Sequence, residues 1–318
     1  MTGFLVRRFT QSVLVVFGVT LFTFILTRIL PGGAARAILG PRASPPEIAA
    51  FNQENGLDLS LPQQYVIYLN QLIHFNFGFS YRLNQSVIGL VHDRLPRTIL
   101  LLGISTLLAL MVAVPIGILQ SVRRNKLEDY FFTSVSFVLY SMPPFWLGLL
   151  LIIAFAVNLN LLPPVGPQGN VDTYLSDPSQ IAGLVLPVAA LALTTIALFS
   201  RYMRSSMLDN LVQDYVRTAR AKGVSNVGIL YRHVLRNALI PIVTLLGLSL
   251  PGIFGGALIT EAVFNYPGMG LLFWEGAQTR DYPVLLGVTV IVAVATVFGN
   301  LLADIGYAVV DPRVRIQA

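Results

Sequence analysis

The sequence predicts an all-α membrane protein. It should have six transmembrane helices, an external helical loop after the first, and a cytoplasmic helix–turn–helix between the fourth and fifth. Three observations carry this. Of 318 residues, 55% are hydrophobic and only 11% charged, with a mean hydropathy of +0.71; a water-soluble domain carries about 25% charge. The apolar residues gather into runs of about 20, enough to cross the hydrocarbon layer of a bilayer. Most of the 21 Lys and Arg flank those runs on one predicted side, so topology explains the net charge of +6 better than nucleic acid does. With no cysteine, disulfides, iron–sulfur clusters and thiolate zinc sites are excluded.

Taken in order, residues 1–30 are a basic tail and the first span. Arg7 and Arg8 precede an apolar run, Phe9 to Leu30, that is longer than a signal-peptide core of about 7–15 residues. An uncleaved span with a cytoplasmic N-terminus is expected, with Pro31 breaking the chain and Arg28 reaching the headgroups.

Residues 31–97 form the external loop. Ser44-Pro45-Pro46-Glu47 reads as a helix start with a capping box. A second helix should run from Gln63 to about Phe77, stopped by Gly78, and a third should cover Val87 to Asp93.

Residues 98–310 are the core. Span two is Thr98–Gln120, followed at once by Arg123, Arg124 and Lys126, a cytoplasmic marker. Span three, Tyr130–Val157, contains Ser141-Met142-Pro143-Pro144. Two prolines remove two backbone donors and break the helix. Broken backbone at membrane depth survives only against protein or a water-filled cavity. Tyr140, Ser141, Pro143 and Pro144 are therefore candidate path-lining residues, with Glu261 at the outer end of span five. A packed kink without substrate contact would leave the same trace.

Asn158–Gln180 should be an outer loop, Ile181–Ser200 span four, Ala238–Thr260 span five, 261–282 an outer loop and Val284–Val310 span six. A small-residue run, Gly252 to Ala257, would allow close helix contact in span five. Residues 311–318 are a basic cytoplasmic tail with Arg313 and Arg315. Both termini then lie in the cytoplasm.

The loop 201–236 is the informative stretch. Seven cations, Arg201, Arg204, Arg217, Arg220, Lys222, Arg232 and Arg236, interrupt an oily chain. Leu208, Leu211, Val212, Tyr215 and Ala219 recur on one helix face, and Gln213, Arg217 and Arg220 on another. Gly223 reads as the left-handed residue after a helix end, and Ser225 or Asn226 as the cap of a second helix. By pattern alone, arginines that only hold topology would look the same.

The residues RTARAKG, Arg217 to Gly223, followed by RHVLRNALIP, resemble the cytoplasmic loop of ATP-binding cassette import permeases in its dipeptide and oligopeptide version. The wider family's loop opens Glu-Ala-Ala; here Arg217-Thr218-Ala219 replaces it, while the Ala219-to-Gly223 spacing is kept. The resemblance extends to Gly56-Leu57-Asp58, Pro62, Tyr65, Gly78, Ser80 and Tyr81, to Glu261, Phe264, Pro267, Gly268 and Gly270, and to Arg280-Asp281-Tyr282-Pro283.

The resemblance implies that Arg217, Thr218, Ala219, Arg220, Ala221, Lys222 and Gly223 form a coupling helix docking on an ATPase. It further implies a heterodimer with a second related permease, two ATPase subunits holding ATP and Mg, an extracytoplasmic substrate-binding protein, and a bacterial or archaeal plasma membrane. Di- or oligopeptides are the expected cargo; nickel chelates, glutathione and sugars travel through similar permeases.

The chain lacks a phosphate loop ending GK[ST], and neither HExxH nor GxSxG occurs. No catalytic residue, metal or cofactor of its own is expected, so it should not be an enzyme. An ion-coupled carrier or channel is the alternative. It would want several ionisable groups at membrane depth, and Asp304 and Glu261 are few.

Overall fold

The computed structural model describes residues 2–29, 35–36, 39–40, 42–54, 56–169, 171–174 and 176–310. The predicted break at Pro31 and the tail with Arg313 and Arg315 lie outside them, as do the side chains of Arg28 and Asp304. The described chain is almost wholly helical, with one two-stranded antiparallel sheet. Five helical stretches are long and apolar enough to cross a membrane. A helix pair bent by 104° makes the sixth if counted as one span. Two compact units result. One comprises Met1–Thr98, Leu250–Leu258 and Pro267–Ala318; the other comprises Ile99–Ser249 and Ile259–Tyr266.

In the first unit α1 (Thr2–Ile29) packs along the last helix, Tyr282–Val310. Helix α2 (Pro45–Glu54) starts as expected. The Ser44 amide and hydroxyl both donate to Glu47 Oε2, at 2.7 and 2.8 Å, and hold its carboxyl below the usual range. Helix α3 (Leu61–Ile73) lies against α1, with the Tyr65 and Tyr68 hydroxyls each 3.0 Å from the hydroxyls of Thr20 and Thr23.

Four expectations change here. Helix α3 ends at Ile73, not Phe77; the chain reverses through left-handed Phe75 (φ 58°), where the Asn76 amide returns to the Gln71 carbonyl. Gly78 (φ 99°) instead opens a hairpin, β1 (Phe79–Ser80) with β2 (Gln85–Ser86). The separate helix at Val87–Asp93 is the start of α4 (Val87–Val122), because Val87, Leu90 and Val91 are buried with Met269, Leu272, Val284 and Val288. That cluster also turns part of the expected outer loop 261–282 into a packed helix, Met269–Thr279. Its first amide donates to the Thr98 hydroxyl at 2.8 Å.

In the second unit α5 (Leu127–Ser141) and α6 (Pro144–Leu151) are the two arms of the bent span, and a π-helix, Ile152–Asn158, continues α6. Both arms pack on α7 (Pro178–Leu211), which Asp177 caps by accepting from the Ser179 amide at 2.9 Å. Span four was expected to stop at Ser200. It runs on to Leu211 because Met203 and Met207 keep a buried face. Arg201 and Arg204 therefore sit within a helix rather than a loop.

Helix α8 (Asp214–Ala221) follows a break. The second arm runs from Asn226–Gly228 through a π-turn, Ile229–Val234, to Leu235–Ala238, and α9 is Ile240–Gly255. Span five is not continuous to Thr260. Gly256 at φ 73° interrupts it before α10 (Leu258–Val263). Helices α11 (Met269–Thr279) and α12 (Tyr282–Val310) complete the chain.

Candidate functional site

The elbow between α7 and the second arm is an amphipathic plug. The single helix face expected over Leu208 to Ala219 is in fact broken, because α7 ends at Leu211, Val212 is exposed and Gln213 is the N-cap of α8. The break is tied by the Gln213 side chain donating to the Asp209 carbonyl (3.0 Å) and the Tyr215 hydroxyl donating to Asn210 (2.9 Å). Val216 and Ala219 then point inward, into a cluster with Ile118 of α4, Met203 and Met207 of α7, and Ile229, Val234 and Ala238 of the second arm.

Arg217, Thr218, Arg220, Ala221, Lys222 and Gly223 all face out. Three of these are cations. Arg217 is 3.3 Å from Asp214, but both side chains are so exposed that the pair contributes little. Gly223 has φ 77°, as expected of the residue after the helix, and its amide donates to the Arg220 carbonyl. Ser225, not Asn226, caps the second arm, accepting from the Gly228 amide at 3.2 Å. Ala219, expected within the docking helix, is only 6% exposed and is packed on its own spans.

Beneath the plug lies a joint that sequence reading missed. Arg204 of α7 grips Asp129 of α5 with two parallel bonds, Nε to Oδ1 at 2.7 Å and Nη2 to Oδ2 at 2.8 Å. The Asp129 side chain is 3% exposed, and the Asn125 amide also donates to it. Asn125 is left-handed, which aims that amide inward. Higher up, Ser136 and Ser200 share a hydrogen bond at 3.2 Å. Gly117 of α4 lies so close to α7 that a Cβ there would stand 2.5 Å from that of Met203. The sequence offered both halves, Arg204 among the loop cations and Asp129 in the first turn of an apolar run, but nothing that paired them.

The broken span holds most of the other candidates. Pro143 caps α6 with Pro144 in its first turn, and the Leu147 amide closes on the Pro143 carbonyl at 3.1 Å. Tyr140, Ser141, Pro143 and Pro144 are exposed; the Ser141 hydroxyl donates back to the Phe137 carbonyl at 2.8 Å. The guanidinium of Arg201 lies over the Tyr140 ring, 5.2 Å from its centroid. Glu261 is not with them. It is fully buried in α10.

Comparison with known proteins fits this architecture. The model of the "binding-protein-dependent transport system inner membrane component" family matches residues 113–316, and that of its N-terminal membrane component matches residues 1–102. The chain is 40% identical to the oligopeptide transport system permease protein AppB of Bacillus subtilis, over 99% of each chain. It is 40% identical to a putative peptide permease protein of Brucella ovis, over 93% of this chain and 94% of that one. To the probable D,D-dipeptide transport system permease protein DdpB of Escherichia coli it is 36% identical, over 95% and 94%. The ion-coupled alternative gains nothing from these matches. The chain belongs to the binding-protein-dependent transport system inner membrane component family and is a multi-pass membrane permease.

Proposed function

We propose that this chain is one permease subunit of an ATP-driven peptide importer, and that its elbow receives work from a separate ATPase. The carrying observation is the plug: a cationic outer face on a short helix whose inner face is locked into the ends of α4 and α7. A load on α8 is borne by spans, because packed interiors yield little to local force. Arg217, Thr218, Arg220, Ala221, Lys222 and Gly223 form the contact surface, and Ala219 anchors it from below. ATP and Mg belong to the ATPase subunits. A second related permease completes the path, and an extracytoplasmic binding protein delivers the cargo. Both termini and the elbow face the cytoplasm. Full-length relatives named as oligopeptide and dipeptide permeases support peptides as the cargo. A peptide is recognisable by its backbone and ends whatever its side chains, so a roomy polar path suits it.

The chain has no cysteine, which makes the test clean. Ala221→Cys places a single thiol on the exposed face. A bifunctional reagent should join it to an ATPase subunit in inside-out vesicles of the whole transporter, and ATP should change the yield. A thiol that reacts only from the outer side of the membrane, or captures no ATPase, would overturn the assignment.

A further inference from the structure

We infer that Arg201, seated on Tyr140 at the break of the bent span, is a carboxylate-binding residue of the translocation path and takes the C-terminal carboxylate of the passing peptide. The inference rests on the peptide reading above and adds a chemistry and a residue to it. Arg201 and Arg204 are one turn apart on α7, yet their circumstances differ. Arg204 is neutralised by Asp129. Among the described ion pairs none involves Arg201; its one described contact is the face of the Tyr140 ring.

Helix geometry explains how these groups meet. Helices α5 and α7 run antiparallel, with Asp129 opposite Arg204 and Ser136 opposite Ser200. Side chains lean toward the N-terminus of their own helix. Tyr140 leans back toward the Asp129 end, and Arg201 leans away from the Arg204 end, so the two converge. Tyr140 lies thirteen residues beyond Leu127, about 20 Å along the helix at 1.5 Å per residue. The guanidinium is thereby drawn along the span and away from the elbow, to the place where prolines interrupt the helix.

Arg201 lies on a helix, Pro178–Leu211, that is long and apolar enough to cross a membrane, and an ionised side chain on such a helix is a functional-site candidate. The ring supports the cation through its π face, and no described hydrogen bond or ion pair occupies the guanidinium N–H groups. Those groups match a carboxylate bidentately. Every unmodified linear peptide ends in one carboxylate whatever its sequence, so such a contact orients cargo without selecting side chains. Its weak support, a ring rather than a buried ion pair, also lets the carboxylate leave.

The test uses the whole transporter in proteoliposomes with its ATPases and binding protein, and a peptide supplied as free acid and as C-terminal amide. The quantity read is the ratio of kcat/KM for acid over amide, compared between variants with the same binding protein so that its own preference cancels. Arg201→Gln should lower that ratio about tenfold, and Arg201→Lys should lower it less. Arg201→Cys should behave as the Gln variant and regain part of the preference after aminoethylation restores a positive charge. That recovery also shows the variant to be folded. Equal losses for acid and amide, an unchanged ratio, or recovery with an uncharged reagent would overturn the inference. A transporter whose Ala221→Cys thiol fails to find an ATPase would instead sink the coupling reading, and the two failures are separable.

Discussion

Gly223 carries the sharpest single-residue test of the elbow. Its φ of 77° is a conformation that L side chains avoid, yet a Cβ built there meets no atom within 4 Å. Damage from a side chain would therefore come from backbone strain and not from a clash. Asn tolerates the left-handed region and β-branched residues do not. Gly223→Val should separate ATP hydrolysis from uptake, while Gly223→Asn should stay close to the parent. Substrate-stimulated ATPase activity and uptake, measured in the same vesicles, decide it. Equal loss in both variants would mean that the left-handed turn is not what matters. The residue scale also sets the limit of sequence reading. Gly223 was legible because a glycine after a helix has few other reasons to be there. Ala219 was legible as a helix-face residue but not in its direction, since one alanine fits a partner's groove or the chain's own core equally well.

At the scale of elements, the proposed coupling would carry a load on α8 to the bent span through the joint of α4, α5 and α7. It has one close approach, Gly117 on Met203, and one bidentate pair, buried Asp129 with partly exposed Arg204. Removing Asp129 leaves Arg204 29% exposed and within reach of water, so the loss falls below the about 3–5 kcal/mol of a fully buried pair. Overpacking a tight contact costs about 1–3 kcal/mol. Asp129→Ala and Gly117→Ala should therefore each lower the thermal midpoint of the detergent-solubilised transporter. Exchanging the charges, Asp129→Arg with Arg204→Asp, should recover part of the loss. Recovery no better than either single change would show that the pair does not act as a unit.

Element boundaries were the least legible part of the sequence, and each error has a local cause. Span four was cut at Ser200 because arginines follow it. In the structure one of these is paired with a carboxylate 75 residues away and the other stacks on a ring, so neither ends the helix. The stretch 261–282 was read as an outer loop. In the structure Met269 and Leu272 within it are buried, and Gly276 approaches Val284 so closely that a Cβ there would stand 3.2 Å away.

For the whole molecule, the described surface is the argument. Large apolar side chains stay exposed along α1, α4 and α5, among them Phe9, Phe22, Leu107, Met111, Phe131 and Phe137. A water-soluble monomer rarely shows such area in contiguous patches. Lipid covers part of it, and in the proposed importer a second permease covers the rest. The chain purified alone should then be unstable or inactive, and co-expression with a related permease and the ATPases should restore a monodisperse, transporting assembly. Size-exclusion profiles and uptake check this together. A stable preparation of this chain that transports without any ATPase would count against the proposed assembly.

Composition and periodicity by themselves determined that the chain lives in a bilayer and that a basic amphipathic elbow interrupts its spans. They also placed a proline break in the third crossing. These are averages over many residues, or local backbone chemistry, and neither needs the rest of the chain to be read. The tertiary structure decided which face of the elbow is anchored, which of two neighbouring arginines is neutralised, and that Glu261 is buried while Tyr140 is open. Those outcomes depend on which helix lies beside which. A hydrophobic pattern states only that a face must be covered, and the neighbour that covers it is fixed by packing between residues far apart in sequence.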